Sequence, residues 1–153
     1  MGTMEIRTAE LADWPELQAV YRRSSLSNDG DRPHLLAHPE VLDLPEGPVR
    51  EGRSTLATMD GQVAGFATVD PAGAVVELTA LFVDPGFMRR GVGRALMGAV
   101  VAEAQRGGHG RIEATTNTHA SEFYEQVGFV AGGRVETRFD DGVRMHLDVA
   151  PPG

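Results

Sequence analysis

An apolar segment followed by a glycine-containing turn is the part of the chain best suited to bind a ligand. It reads Leu81-Phe82-Val83-Asp84-Pro85-Gly86-Phe87-Met88-Arg89-Arg90-Gly91-Val92-Gly93-Arg94-Ala95-Leu96, in the order strand, turn, helix. The first N–H groups of a helix have no acceptor within it and carry partial positive charge, so they can bind an anion. Gly91 and Gly93 leave the backbone open to such a ligand. Three cationic side chains stand beside it, those of Arg89, Arg90 and Arg94. The segment therefore predicts a phosphate or pyrophosphate site.

Two common phosphate loops do not fit this segment. Gly86 and Gly91 have the Walker A glycine spacing, but Val92-Gly93 stands where that loop requires Lys followed by Ser or Thr. The Rossmann fingerprint requires Gly or Ala three residues after its second glycine, where this chain has Leu96. The spacing alone leaves two readings open, a phosphate site of another kind and a glycine-rich turn with solvated arginines.

A second motif lies downstream and makes the first more specific. It reads Asn117-Thr118-His119-Ala120-Ser121-Glu122-Phe123-Tyr124-Glu125-Gln126-Val127-Gly128-Phe129. This stretch resembles the Asn…Ala…Phe-Tyr-Glu-x-x-Gly-Phe segment of the GNAT family of acyl-CoA-dependent N-acyltransferases. The run from Arg89 to Gly93 is similar to most of that family's Gln/Arg-x-x-Gly-x-Gly/Ala hallmark. Met88 departs from the pattern, because it stands where the family usually has Gln or Arg.

The resemblance covers about residues 74–130 and implies both a fold and an activity. The implied fold is a single-domain α/β (α+β) structure. It has a mixed, mostly antiparallel sheet of about six to seven strands, about four helices and a central parallel strand–helix–strand crossover. The hairpin-linked strands and the strand–helix–strand unit from Ala74 to Thr116 predict the same sheet and crossover without the resemblance. The implied activity is transfer of an acetyl group from acetyl-CoA, the acyl-donor cosubstrate, to a primary amine by direct attack in a ternary complex. A non-catalytic acyl-CoA-binding sensor on the same fold is the alternative.

The resemblance also implies which residues bind CoA. Leu81, Phe82 and Val83 would lend backbone groups to the pantetheine arm, or simply pack in the core. The pyrophosphate would lie against residues 88–94, in which backbone N–H groups make most of the contacts, so Met88 weakens the site without abolishing it. The members of this set are Met88, Arg89, Arg90, Gly91, Val92, Gly93 and Arg94. Asn117 contacts CoA or caps its helix, and capping is the simpler role.

The reaction needs a base and an acid, and the family supplies a candidate for each. An amine with a pKa near 10.4 is neutral only about once in 10³ at pH 7, so a general base helps. Glu77 interrupts an apolar strand 14 residues before Gly91, the offset of the catalytic glutamate in the histone-acetyltransferase branch. Burial beside apolar neighbours would suit a base, whereas a solvated or dimer face is equally compatible. Tyr124 stands where the family often has a tyrosine near the CoA sulfur, and is otherwise a core tyrosine.

The acceptor is less well defined. In the family, two N-terminal helices and the final hairpin shape its pocket, and here they carry acidic residues: Asp29, Asp31, Glu40, Asp43, Asp140 and Asp141. A negative rim would attract an amine, although a solvated acidic surface has the same composition. His34, His38 and His119 lie in or near these regions, and His119 is an auxiliary base candidate. No histidine spacing predicts a metal site.

Composition excludes some kinds of catalysis and limits the expected partners. The 153 residues carry a formal charge of −8 and no cysteine, which removes thiol catalysis and a cysteine acyl-enzyme. We expect one domain over residues 4–149 with tails at 1–3 and 150–153, a cytoplasmic location, and no nucleic-acid or membrane partner. A homodimer fits the family, but the sequence specifies no interface.

Sequence patterns also predict the elements, with a two-residue hairpin turn at Asp60-Gly61 and a loop at Pro45-Glu46-Gly47-Pro48. Strands are expected at Met4–Arg7, Ser54–Met59, Gln62–Val69, Ala74–Val83, Arg111–Thr116, Phe129–Phe139 and Val143–Val149. Helices are expected after an Asp13 N-cap, over Arg32–Leu44 with a break at Pro39, over Gly91–Gln105 and over Thr118–Val127 with Asn117 or Thr118 as cap.

Overall fold

The computed structural model describes residues 3–27, 32–117, 120–136 and 141–149. Their strands are β1 (Met4–Thr8), β2 (Ser54–Met59), β3 (Gln62–Ala72), β4 (Val75–Val83), β5 (Arg111–Asn117), β6 (Val130–Glu136) and β7 (Asp141–Asp148). Their α-helices are α1 (Trp14–Leu26), α2 (Arg32–Ala37), α3 (Gly47–Arg50), α4 (Val92–Arg106) and α5 (Ser121–Gln126). Within these ranges, no helix has the length and apolar character needed to span a bilayer.

The seven strands form one mixed sheet in the order β1-β2-β3-β4-β5-β7-β6. β4 and β5 run parallel, with Val75 opposite Arg111 and Glu77 opposite Glu113, and α4 connects them. The pairs β1·β2, β2·β3, β5·β7 and β6·β7 are antiparallel. The predicted fold class and its parallel crossover are therefore confirmed.

Local chemistry explains several element boundaries. Asp60 and Gly61 turn the β2–β3 hairpin with φ values of 52° and 83°, as the Asp-Gly pair predicts. The second helical stretch breaks at His38, whose φ of −131° and ψ of 66° are not helical, because it precedes Pro39. The predicted hairpin and the predicted break are both confirmed.

Asp13 is the N-cap residue of α1, as predicted, but its side chain makes no capping bond, because its carboxylate accepts hydrogen bonds from Arg7 and from the Glu10 N–H. The predicted end of β3 was wrong. β3 continues through Asp70 and Pro71 to Ala72, and the chain turns at Gly73. Three residues of the predicted strand that reached Phe139 lie outside the described residues.

The start of α5 and the short α3 also differ from expectation. Asn117 does not cap α5, because its backbone still pairs with Gly142 in the β5–β7 ladder. The N-cap is Ala120, which makes no side-chain capping bond, and Thr118 lies outside the described residues. The segment expected to be a loop at 45–48 runs into the helical turn Gly47–Arg50.

The chain divides into two compact units. The first comprises Met1–Thr68 and Ala80–Leu96, and the second comprises Val69–Thr79 and Met97–Gly153. In the first unit, buried apolar side chains of α1, α3, β2 and β3 form a core that includes Leu17, Val20, Val49, Leu56 and Phe66. In the second, Val76, Ile112, Ala114, Tyr124, Phe129 and Met145 are buried. One domain over residues 4–149 stays a prediction.

A close approach in the first unit brings α4 onto the sheet. A Cβ placed on Gly65 would lie 2.7 Å from the Phe82 carbonyl oxygen, 3.0 Å from Val92 Cγ1 and 3.2 Å from Leu96 Cδ1. Val92 and Leu96 are both buried. Glycine at position 65 therefore allows β3, β4 and the first turn of α4 to pack at this distance.

We expect Gly65→Ala to lower the free energy of unfolding by about 1–3 kcal/mol, because the added methyl group overpacks a backbone contact. Urea unfolding followed by circular dichroism measures the change. Gly98→Ala is the matched control, since a Cβ on this exposed helical glycine meets nothing within 4 Å. The control should gain about 0.5–1 kcal/mol from helix propensity. Equal stability of Gly65→Ala and the wild type would contradict the described packing.

Candidate active site

Residues 84–91, which we call the anion loop, join β4 to α4 in the first unit. Arg89 and Gly91 both have positive φ, at 63° and 80°. This conformation suits Gly91, but in Arg89 it stores strain of about 1–3 kcal/mol. A Cβ on Gly91 would meet nothing within 4 Å. The loop is thus held in an uncommon conformation beside open space.

The first turn of α4 gives the loop its donors. The Ala95 N–H donates to the Gly91 carbonyl at 3.0 Å and so begins the intrahelical ladder. The preceding N–H groups, of Val92, Gly93 and Arg94, have no acceptor within the helix. Arg89, Arg90 and Arg94 are exposed, and the Arg90 guanidinium lies 5.7 Å from the centre of the Phe87 ring. Backbone N–H donors and exposed arginines therefore occur together in this turn, and the anion site stays a prediction.

Asp84 anchors the beginning of the anion loop, a role the sequence analysis missed. Its buried carboxylate accepts a hydrogen bond from the Gly86 N–H at 2.9 Å and another from Arg23 Nε on α1 at 2.7 Å. Its N–H donates to the Ala64 carbonyl at 2.8 Å. The Asp-Pro-Gly sequence carried a signal for this turn, since Asp often accepts from the N–H two residues on. No sequence pattern indicated that Arg23 would be the partner of Asp84.

The residues predicted to lend backbone to pantetheine end β4. Leu81, Phe82 and Val83 are half-buried, and Met88 is exposed. The Phe82 ring packs against Tyr21 and Phe66, with centroid distances of 4.9 and 5.7 Å. The side chain of Phe82 thus serves the core, as the simpler reading expected, while its carbonyl faces Gly65.

Glu77 lies in a charged cluster of the second unit. Arg144 on β7 donates to both Glu77 carboxylate oxygens, at 2.5 and 2.7 Å, and to Thr115 Oγ1 at 3.0 Å. Arg144 Nη2 also lies 3.4 Å from a Glu113 oxygen. The hydrogen bonds to Glu77, together with the charge of Glu113, raise the pKa of Arg144. Of the two alternatives left open for Glu77, the ion pair with Arg144 and the partial exposure of the side chain agree with a solvated face and not with burial beside apolar neighbours.

Tyr124 is buried on α5 in the second unit. Its ring packs edge-on against Phe129 and Phe123, with centroid distances of 5.2 and 5.6 Å. The Phe129 N–H donates to the Tyr124 carbonyl at 2.9 Å, which ties α5 to the start of β6. Burial raises the pKa of Tyr124 to about 12. Its phenol therefore stays protonated at any physiological pH.

Side chains of α1 hold the segment 42–44, in the region that the resemblance assigns to the acceptor. Trp14 Nε1 donates to the Leu44 carbonyl at 3.0 Å. Gln18 donates to the Leu42 carbonyl at 2.5 Å and accepts from the Leu44 N–H at 2.6 Å. Asp43, exposed between them, pairs with Arg22 at 2.9 Å. The backbone of this segment is thus fixed, while the Asp43 carboxylate faces solvent.

Several predicted residues fall outside the description. His119, Asp29, Asp31 and Asp140 are not among the described residues, and the description does not extend to the side chains of His34, Asn117 and Asp141. Glu40 is exposed, as is His38, and their ion-pair atoms lie 3.6 Å apart. Within the described part of the chain, no three His, Asp or Glu side chains are grouped to hold a metal ion.

Comparison with known proteins identifies the family. The family model described as "Acetyltransferase (GNAT) domain" matches residues 48–147. Mycothiol acetyltransferase from Corynebacterium kroppenstedtii is 35% identical over 104 residues, which make up 68% of this chain and 27% of that protein. The chain thus spans about a quarter of the length of this curated relative.

Solved structures share the fold at low sequence identity. The ribosomal-protein-S18-alanine N-acetyltransferase from Escherichia coli superposes with a TM-score of 0.74 at 21% identity, over 99% of this chain and 97% of that one. The PaiA N-acetyltransferase from Thermoplasma acidophilum, in complex with coenzyme A, gives 0.74 at 16% identity, over 95% and 99%. Because the family model matches well over half of the chain, this protein belongs to the GNAT acetyltransferase family.

Proposed function

We propose that this protein is an N-acetyltransferase that moves an acetyl group from acetyl-CoA to a primary amine in a ternary complex. The observation that carries the proposal is the anion loop, where backbone donors and three exposed arginines follow an anchored turn. The amine nitrogen would attack the acetyl carbonyl carbon, the thioester C–S bond would break, and CoA would leave as the thiolate. The amine gives up one proton, and the thiolate finally takes one.

The anion loop and the first turn of α4 together fit the pyrophosphate of CoA. The N–H groups of Val92, Gly93 and Arg94 would donate to its oxygens at the positive end of α4. Open space beside Gly91 lets the anion approach the backbone. Met88 is exposed and supplies no charge, so Arg89 and Arg90 would provide the attraction that Gln or Arg provides in relatives. The backbone of Leu81, Phe82 and Val83 would pair with pantetheine, and Asn117 would contact CoA.

Tyr124 would assist the departing thiolate. Its pKa of about 12 lies well above the value near 8.5 of a thiol, so complete proton transfer would cost roughly 5 kcal/mol. A hydrogen bond from the neutral phenol stabilises developing negative charge on sulfur without that cost. We therefore assign Tyr124 as the hydrogen-bonding acid of the reaction, with solvent completing protonation.

Glu77 is retained as the candidate base, acting directly or through a water molecule. Its carboxylate is accessible, with 31% of the side chain exposed, although Arg144 donates to both of its oxygens. Two carboxylates and one guanidinium leave a formal charge of −1 in the Glu77, Glu113 and Arg144 cluster. That charge favours a cationic amine over an anionic acceptor. The cytoplasmic location, the homodimer and the absence of nucleic-acid and membrane partners stay predictions.

The first test of this function is release of free thiol from acetyl-CoA against a panel of amines. The panel comprises polyamines, amino acids, aminoglycosides and lysine peptides. A peptide with N-terminal alanine is added, because one structural relative is named for that acceptor. We expect amine-dependent release with at least one class. Tight acetyl-CoA binding by calorimetry, without release across the panel, would instead favour the sensor alternative, and no binding at all would contradict both.

Replacing Tyr124 by Phe should lower kcat by about 10²-fold while the Kd for acetyl-CoA changes less than about twofold. Because burial raises the pKa of Tyr124 to about 12, this loss should be constant from pH 7 to 10. Steady-state kinetics across that range measure it. Tyr21→Phe, which removes the hydroxyl of the chain's other tyrosine, is the control and should retain kcat. Unchanged turnover in Tyr124→Phe would remove Tyr124 from this role.

Replacing Gly91 by Val should weaken acetyl-CoA binding by about tenfold or more, since the side chain occupies the approach to the backbone donors. Gly52→Val is the matched control. Gly52 also has positive φ and open space around a Cβ, so its substitution causes similar backbone strain far along the chain from the loop. Titration calorimetry compares the two variants. Equal affinity in Gly91→Val and the wild type would mean that the pyrophosphate does not lie on this loop.

A further inference from the structure

Asp84 places a negative charge at the beginning of a site proposed to bind an anion. Its side chain is 10% exposed, so solvent screens this charge weakly. An uncompensated carboxylate here would oppose pyrophosphate binding. The carboxylate nevertheless fixes the turn, because it accepts from the Gly86 N–H at 2.9 Å. Any residue that neutralises Asp84 without breaking this hydrogen bond therefore favours anion binding.

Arg23 meets that requirement. Its Nε donates to Asp84 at 2.7 Å, and its Nη2 contacts the same carboxylate oxygen. The guanidinium comes from α1, a helix that is itself held by the buried side chains of Leu17 and Val20. Arg23 thus extends from a well-packed helix, although 55% of its own side chain is exposed. The helix fixes the backbone from which Arg23 extends, so the ion pair with Asp84 has to order only the side-chain rotamers.

We propose that Arg23 and Asp84 are positioning residues for pyrophosphate binding. Asp84 fixes the turn of the anion loop through the Gly86 N–H, and Arg23 neutralises Asp84 so that the charge facing the ligand is set by Arg89, Arg90 and Arg94. The inference rests on the proposed binding of acyl-CoA. It adds two residues that act through the loop and touch neither the acetyl group nor the acceptor.

The test separates the two roles with three variants. Arg23→Met leaves the Asp84 charge uncompensated, and we expect about fivefold to tenfold weaker CoA binding. The double variant Arg23→Met/Asp84→Asn removes that charge while the Asn oxygen can still accept from Gly86, so affinity should return to within about twofold of the wild type. Asp84→Ala loses the turn bond as well and should stay about tenfold weaker. Calorimetry with CoA measures all three.

A purely structural role would give a different pattern. It would lower the free energy of unfolding in every variant, and the double variant would be the least stable and weakest binder. A positioning role predicts that the affinity for CoA is restored in the double variant. It also predicts that Arg23→Met raises the KM of the active enzyme for acetyl-CoA and leaves kcat unchanged. Arg50→Gln, which removes an exposed pair with Glu46 at 2.9 Å, is the control and should bind CoA like the wild type.

Two failures are distinguishable. If the wild type binds CoA and all variants bind it equally, or if the double variant is not rescued, the inference is overturned while the proposed function stands. If the wild type does not bind CoA, the proposed function fails and the inference fails with it. The chemical shift of the Gly86 amide proton, measured without ligand, reports whether this N–H is hydrogen-bonded. The signal should move upfield in Asp84→Ala, which loses the hydrogen bond, and remain near its wild-type position in the double variant.

Discussion

The packing of α4 against β3 and β4 at Gly65 is the constraint on which the candidate site depends. A side chain there would enter the space of the Phe82 carbonyl and of Val92 and Leu96. Without it, the first turn of α4 packs against the sheet directly beyond the end of β4. The eight residues of the anion loop must then connect two fixed ends, which explains why Arg89 tolerates a positive φ.

Polar contacts complete what this packing begins. The Asp84 N–H bonds to the Ala64 carbonyl, one residue before Gly65, and its carboxylate holds the Gly86 N–H. The same α1 helix that supplies Arg23 also holds the segment 42–44 through Trp14 and Gln18. Packing and hydrogen bonds thus fix the loop at both ends, so the proposed binding of an anion would need little reorganisation of the backbone donors.

Sequence patterns predicted the parts of this arrangement that depend on local chemistry. The Asp60-Gly61 hairpin, the break before Pro39 and the strand–helix–strand crossover each follow from residues adjacent in the chain. The partners of Asp84 and Glu77 could not be predicted, because Arg23 and Arg144 lie 61 and 67 positions away from them. The prediction that Asn117 caps α5 was wrong for a related reason. Its strand partner, Gly142, keeps Asn117 extended, whereas capping would require the chain to turn there.

In the proposed site, backbone N–H groups at the start of α4 bind the pyrophosphate of CoA. Mapping of ¹⁵N-amide chemical shifts during titration with CoA examines this binding, since each backbone N–H group gives a separate signal. We expect the amide signals of Val92, Gly93 and Arg94 to be among the most shifted at saturation. Saturable binding that leaves these three amides unchanged and shifts others elsewhere in the chain would contradict it.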